Sequence, residues 1–240
     1  VESFVGAGAV MFHVLQNYYV DECHIYDKNQ DLILAYSVIK HYPDRLISKL
    51  EGYSRDYFNP DINSNKFYYR IREAFNNNQV DYGGTLGTNH IDRAAQLIFL
   101  NKTGYNGLYR VNSKGGFNVP HGRYKNPQIA DENNIKAVSN LLQKVHIHYG
   151  DFYQSIEHVD NNTFVYLDPP YKPVTQTSNF TSYTGKFTDE EQVRLSEFYQ
   201  ECSSRGAAVM LSNSDTGDGF FNNLYQDYYI YPVSAKRMIN

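Results

Sequence analysis

Tryptophan is absent from this 240-residue chain, and cysteine occurs only at Cys23 and Cys202. Two thiols so far apart offer neither a metal-finger spacing nor a disulfide framework. Small cross-linked secreted scaffolds are thereby excluded, and a reduced, cytoplasmic setting is expected. No apolar run approaches the ~20 residues that a membrane-spanning helix needs, and nothing reads as a signal peptide. Strong charge of either sign is also lacking. Lys and Arg number 22 against 26 Asp and Glu, a net charge of −4, which counts against simple whole-surface attraction to nucleic acid. No serine-centred nucleophile elbow and no P-loop occur. An initiator methionine is missing too. Val1 begins inside a strand-like stretch and Asn240 stops abruptly, so both ends of the natural protein are expected to lie outside this sequence.

What is abundant is tyrosine and phenylalanine, 23 and 14 residues. Tyr combines a flat ring with a hydroxyl and suits core edges and base-stacking surfaces alike. A coding bias toward Asn, Lys and Tyr explains the composition equally well. Hydrophobic residues make up 41%, enough for a substantial core.

The opening stretch VESFVGAGAVMFHVLQNYY reads as strand, glycine turn and helix. ECHIYDKNQDLILAYSVIKHY repeats the pattern, with Leu32, Ile33, Tyr36 and Ile39 at helical spacing. Two such units in tandem predict a parallel sheet with crossover helices. Residues 45–78 read as helical and mostly surface-exposed, and HIDRAAQLIFLN as a further helix. The grammar then changes. LYRVNSKGGFNVP reads as a hairpin turning at Lys114-Gly115-Gly116. The α/β rhythm returns with a helix near Glu132–Gln143, strands VHIHYGDF and FVYL, a helix from Thr188 to about Arg205, strand AAVMLSNS, a helix near Phe220 and a last strand YYIYPV. The expected organisation is an α/β domain of residues 1–51 and 134–240 interrupted by an insertion, 52–133.

Five places could carry chemistry. Phe4-Val5-Gly6-Ala7-Gly8 sits between a strand and a helix, where glycines let a ligand approach the backbone. A purely structural turn fits as well, because the third glycine of dinucleotide folds is absent. Asp27 ends the second strand, about 20 residues after the glycines, where a carboxylate can accept both hydroxyls of a ribose. The same aspartate also suits a helix N-cap. Gly150-Asp151-Phe152 follows another strand and offers an acceptor for an adenine amino group and a ring to cover the base, or an ordinary strand-end turn.

The fourth place is Asp168-Pro169-Pro170-Tyr171. The proline pair stiffens the backbone and removes two N–H donors. Acceptors remain, the Asp168 carboxylate and the Pro169 carbonyl, and they match an amino group with two hydrogens to give. Tyr171 supplies a face for the planar ring that carries the amine, as a flipped nucleobase would. The fifth is a charge asymmetry. Arg93, Lys102, Arg110, Lys114, Arg123 and Lys125 lie in residues 93–130 with no Asp or Glu among them, interleaved with Tyr105, Tyr109, Phe117 and Tyr124. That is a DNA-facing pattern, although a solvated basic hairpin shows it too. His146 and His148 alternate along a strand and share one face, but no third ligand stands near them, so no metal is expected.

These motifs together resemble the Dam-like DNA adenine N6-methyltransferases, the Asp-Pro-Pro-Tyr class that includes the GATC-type enzymes of restriction–modification systems. The resemblance covers nearly the whole chain. ESFVGAGAV resembles the family's glycine motif, Asp168–Tyr171 its catalytic motif, and YNGLYRVNSKGGFNVPHGRYKNP its target-recognition hairpin; FTSYTGKF and LSNSDT are also similar. It implies an α/β, Rossmann-like S-adenosylmethionine-dependent methyltransferase sheet with a helical and β-hairpin DNA-recognition insertion. Double-stranded DNA would be the substrate, GATC the target, and S-adenosyl-L-homocysteine the product, with no metal and no membrane. By this resemblance Phe4, Gly6, Gly8, Asp27, Asp151, Phe152 and Asp168 would bind the cofactor. Asp168, Pro169, Pro170 and Tyr171 would carry catalysis. Tyr105, Asn106, Leu108, Arg110, Asn112, Asn118, Pro120, Arg123, Tyr124 and Lys125 would meet DNA, with Arg110 as the bidentate guanine contact.

A restriction endonuclease acting on the same sequence, without a stable complex, is a further implied partner, in a prokaryotic or phage setting. Ser3 stands where the family usually has proline. The family's Lys-Trp-Ala-Gly-Gly-Lys-like N-terminal stretch is absent, and so is a final strand after KRMIN. An N4-cytosine or RNA amino-methyltransferase and a catalytically impaired DNA-binding relative remain the alternatives. A nicotinamide-dependent oxidoreductase fits least, since its glycine spacing is missing.

Overall fold

A computed structural model of the chain describes residues 1–172 and 187–234. The backbone divides into two compact units: residues 1–28 with 148–240, and residues 29–147. These bounds are wider than the 52–133 insertion expected from composition.

In the first unit, β1 (Cys23–Asp27), the end of β2 (Val145–Tyr149), β3 (Phe164–Leu167) and β4 (Ala208–Leu211) are accompanied by α1 (Ala9–Asn17), α7 (Asp189–Ser204) and the short α8 (Phe220–Leu224). β3 and β4 are parallel, in register from Phe164 opposite Ala208 to Leu167 opposite Leu211, and α7 makes the crossover between them. The N-terminal residues join the ladder on two sides. Glu2 N donates to His24 O and Val5 N to Tyr26 O, both at 2.9 Å, while Ser3 N donates to Tyr166 O at 3.4 Å. Glu2 thus bridges in parallel to both Ile25 and Tyr166. Because β1, the N-terminal residues, β3 and β4 run the same way, their carboxyl ends gather on one edge. The core beneath is Phe152, Val159, Val165, Leu167, Leu195, Phe198 and Cys202.

The second unit contains α2 (Gln30–His41), α3 (Pro43–Phe58), α4 (Ser64–Asn77), α5 (Thr88–Thr103) and α6 (Glu132–Leu142). Asn29 caps α2 through its side chain, which accepts from Asp31 N and Leu32 N, and Asn63 caps α4 by accepting from Lys66 N. Helices and parallel strands together give the mixed α/β architecture that the alternating pattern predicts.

Two local expectations are corrected. Residues 45–78 are helical, but as two helices that each bury a face. Leu46, Ile47, Leu50, Tyr53 and Tyr57 of α3 and Phe67, Tyr68, Ile71 and Phe75 of α4 pack around Phe99 of α5. Their apolar residues are largely aromatic and recur at three- and four-residue spacing, which is a core stripe rather than a solvated surface. The stretch YYIYPV is no strand. Tyr228 N closes a turn onto Tyr225 O, and Tyr229, Ile230 and Tyr231 are exposed. Alternation makes a strand only where a neighbour accepts its N–H groups, and among the described residues none does. No helix of the described residues is long and apolar enough to cross a membrane.

Candidate active site

The carboxyl edge of the first unit brings most of the expected cofactor residues together. Gly6 and Gly8 have φ of 47° and 71°, the left-handed region that glycine enters without a Cβ clash. A Cβ on Gly6 would meet no atom within 4 Å, so the turn faces open space. Gly6 N donates to Asp27 Oδ2 at 3.0 Å, fastening the glycine turn to the end of β1. Gly8 has no side chain with which to cap α1. That task falls to Glu2, whose Oε2 accepts from Met11 N at 2.7 Å in the helix's first turn. Burial pushes the Glu2 carboxyl up to about 7; the Met11 bond opposes this, and the nearby Asp168 charge adds to it. Glu2's role is not legible locally, because nothing in the sequence distinguishes a capping carboxylate from a strand-end surface one.

Phe4 is half-buried and stacks on Phe152 at 5.2 Å between ring centroids. Phe152 itself is fully buried, packed against Phe198 and lying under the Arg194 guanidinium. Phe4, which also meets Phe187 edge-on with centroids 5.8 Å apart, is the less buried of the two rings. Asp151 is heavily engaged. Lys28 Nζ lies 2.7 Å from one oxygen, and Arg194 and Tyr153 N hold the other. Burial alone would raise this carboxyl, but the two cations and Tyr153 N hold it below the usual range. Lys28 and Arg194 were not foreseen, being distant in sequence from Asp151.

Asp168 follows directly on β3. Its residue surface is open to solvent, yet crowding on the inner side raises the carboxyl, and the Tyr171 hydroxyl lying against it works the other way. Pro169 is buried, and Pro170 O accepts from Gln192 Nε2 at 3.2 Å. Gln192 is wholly buried on α7 and is itself held by Asn213 Nδ2 at 3.1 Å. Ser214 Oγ donates to Lys172 O at 2.7 Å, and Ser212 Oγ shares a 2.8 Å bond with Tyr166 OH. The LSNSDT stretch thus braces the Asp-Pro-Pro-Tyr turn from β4. Most of FTSYTGKF and all of KRMIN lie outside the described residues.

The expected DNA-contacting residues all lie in the second unit, on and around the hairpin. Asn112 N donates to Gly116 O at 2.8 Å and Asn118 N to Arg110 O at 3.0 Å, and Val111 bridges antiparallel to Phe117. The turn residues are those expected. Phe117 and Val119 point inward and are buried. Tyr105, Asn106, Arg110, Asn112, Pro120, Arg123, Tyr124 and Lys125 are exposed, with Leu108 and Asn118 half-buried. Arg110 Nε donates to Asn118 Oδ1 at 2.7 Å, and Asn106 N to Tyr124 OH at 2.9 Å.

Arg93 does not belong to this basic face. It forms a buried ion pair with Asp31 of α2, at 2.5 and 2.9 Å, and caps the end of α4 by donating to Phe75 O and Asn78 O. A second correction concerns the histidines. His148 has neighbours that linear spacing concealed, because His24 and His158 lie beside it; His146 is exposed.

Parallel strand ends, a positive-φ glycine turn opening on free space, a strand-end carboxylate and the Asp-Pro-Pro turn share one edge of the first unit. Comparison with known proteins gives the class. The model of the D12 class of N6 adenine-specific DNA methyltransferases matches residues 1–239. The chain is 52% identical to the Type II methyltransferase M.MjaIII of Methanocaldococcus jannaschii, over 100% of this chain and 81% of the relative. It is 38% identical to the Type II methyltransferase M1.LlaDCHI of Lactococcus lactis subsp. cremoris, over 98% and 78% of the two chains. Against the DNA adenine methylase of Escherichia coli K12 it is 34% identical, over 100% and 80%. The chain belongs to the D12 class of N6 adenine-specific DNA methyltransferases. Its activity is S-adenosylmethionine-dependent methylation of adenine in DNA at N6.

Proposed function

We propose that the chain methylates the adenine of GATC in duplex DNA, with catalysis assigned to residues 1–51 and 134–240 and target recognition to 52–133. The observation that carries the catalytic part is the Asp168-Pro169-Pro170 turn at the end of β3, on the same ladder edge as the bond between Gly6 and Asp27. The glycine turn with its open side, the Asp27 carboxylate and the half-buried Phe4 ring fit S-adenosylmethionine: close backbone approach, ribose hydroxyls and a flat base in turn. Asp151, already held by Lys28 and Arg194, serves chiefly to fix the wall of that pocket. When bound, the cofactor supplies an electrophilic methyl group.

The chain's own residues do the rest. The target adenine leaves the stack, at a cost of roughly a few kcal/mol. The Asp168 carboxylate and Pro169 carbonyl accept its two amino hydrogens and so aim the nitrogen lone pair at the methyl donor. Tyr171 turns from Asp168 to cover the ring. Gln192 locks the Pro170 carbonyl, so the acceptors do not swing away. Positioning supplies most of the rate effect. The surplus proton passes to Asp168, whose raised affinity for protons suits the task, and then to water.

On the hairpin, Arg110 presents its guanidinium to guanine, Tyr105 probes the duplex, and Arg123, Lys125 and Asn112 grip the backbone. GATC is supported by the hairpin's resemblance to the Dam-like family. A prokaryotic cytoplasm is the setting, and a restriction endonuclease reading the same sequence would act without a stable complex. Labelled methyl transfer to duplexes that differ only in containing GATC tests the reading. Label in the GATC adenine alone is expected; equal label in both duplexes, or label in cytosine, would overturn it.

A further inference from the structure

Three histidines from three separate segments meet in the first unit: His24 at the start of β1, His148 in β2, and His158 at the end of the 3₁₀ turn Phe152–His158. His24 is buried, and the other two are half-buried. The His24 and His158 rings stack with centroids 3.7 Å apart, and His148 lies 5.4 and 5.2 Å from them. His24 Nδ1 is 3.2 Å from His148 Nε2, and one ring nitrogen from each histidine lies within 4.8 Å of those of the other two. His158 Nε2 is shut off from solvent and makes no hydrogen bond, although Glu157 Oε1 stands 3.3 Å away. Glu22 Oε2 lies 3.4 Å from His24 Nε2, and Tyr26 OH donates to Glu157 Oε1 at 3.1 Å.

From this juxtaposition we propose that His24, His148 and His158 form a structural binding site for one divalent first-row transition cation, with Zn²⁺ the best match. Three imidazoles suit Zn²⁺, Ni²⁺, Co²⁺ or Cu²⁺. Zn–N bonds of about 2.0–2.1 Å in a tetrahedron separate ligand nitrogens by roughly 3.3 Å, and the His24–His148 pair already stands at 3.2 Å. The remaining ligand atoms converge by side-chain rotation. A cation also gives the buried His158 nitrogen a partner. Glu22 and Glu157 lower the cost of the added positive charge and orient the rings from outside, as second-layer carboxylates do around zinc. A water or one of these carboxylates completes the coordination.

The site is distinct from methyl transfer. His24 lies three residues before Asp27, about 10 Å back along β1 at strand rise. The cation therefore clips the start of β1 to β2 and to the 3₁₀ turn that begins after Asp151, stiffening the frame without touching the reacting groups.

The test uses tag-free chain freed of metal with a chelator. Zn²⁺ uptake is measured by dialysis and elemental analysis, Co²⁺ by its visible d–d bands, and thermal unfolding with and without Zn²⁺. The expected result is one Zn²⁺ per chain, tetrahedral-type Co²⁺ bands and a Tm several degrees higher, with methylation changed less than about twofold. His158→Gln and His24→Gln should each cut affinity at least about tenfold, while exposed His13→Gln keeps it. Circular dichroism confirms that each variant is folded. No stoichiometric uptake by the folded chain, or equal uptake by a folded variant lacking all three histidines, would overturn the proposal.

Discussion

In the first unit the candidate acceptors, on Asp168 and Pro169, stand one and two residues beyond the last ladder hydrogen bond, from Ser212 N to Leu167 O, so main chain places them. In the second unit the hairpin's outward side chains are placed from behind: Phe117 and Val119 are buried, and Val119 O accepts from Tyr68 OH and Arg72 Nη1 at 2.9 and 3.1 Å. The first arrangement leaves little freedom and favours groups that must be positioned to a fraction of an ångström. The second keeps a rigid inner face and lets the outer side chains vary, which suits reading a sequence. Chemistry and specificity should therefore fail separately when substituted.

The sharpest break in that contrast is Asp168→Ala. Methyl transfer should fall by roughly 10³-fold or more, while S-adenosylmethionine binding by calorimetry stays close to that of the unchanged chain. Near-normal turnover would remove Asp168 from the mechanism. Glu2 tests how far the first unit's edge depends on a single buried carboxyl. Its affinity for protons is raised by folding, from 4.5 to about 7. Its contribution is thus fully present below about pH 4.5 and is lost as pH rises through 7. Relative to Glu2→Gln, the unchanged chain should lose roughly 3 kcal/mol between these limits, read from denaturant midpoints across pH. A flat difference would mean that Glu2 titrates normally. The smallest effect is expected on the hairpin. Arg110→Ala should relax discrimination at one base pair by about 1–3 kcal/mol, measured as kcat/KM on duplexes substituted at each position, with turnover on saturating DNA little changed. A uniform loss across all duplexes would make Arg110 a backbone contact instead.

Much of this was legible because the informative signals are local. Glycines between a strand and a helix, aspartates ending apolar runs, a Pro-Pro stop and a Gly-Gly turn each act within a few residues, and the folded chain carries them where expected. What escaped notice depends on long-range meeting. Arg93 reads as part of a basic run until Asp31, 62 positions away, is found against it. His148 has no ligand partner within its own segment, and only folding brings His24 and His158 to it. Residues 228–233 alternate like a strand but find no described neighbour to pair with. Gln192 looks like a surface residue of an acidic helix, although it is wholly buried behind Pro170.

The withdrawal of Arg93 into the fold carries a consequence for counterions. Its charge is matched internally by Asp31, so it displaces no condensed ions from a polyanion. On the proposed reading, the ionic-strength dependence of DNA affinity arising from the acid-free stretch is set by Lys102, Arg110, Lys114, Arg123 and Lys125, and adjusting it through those five leaves the Asp31–Arg93 pair intact.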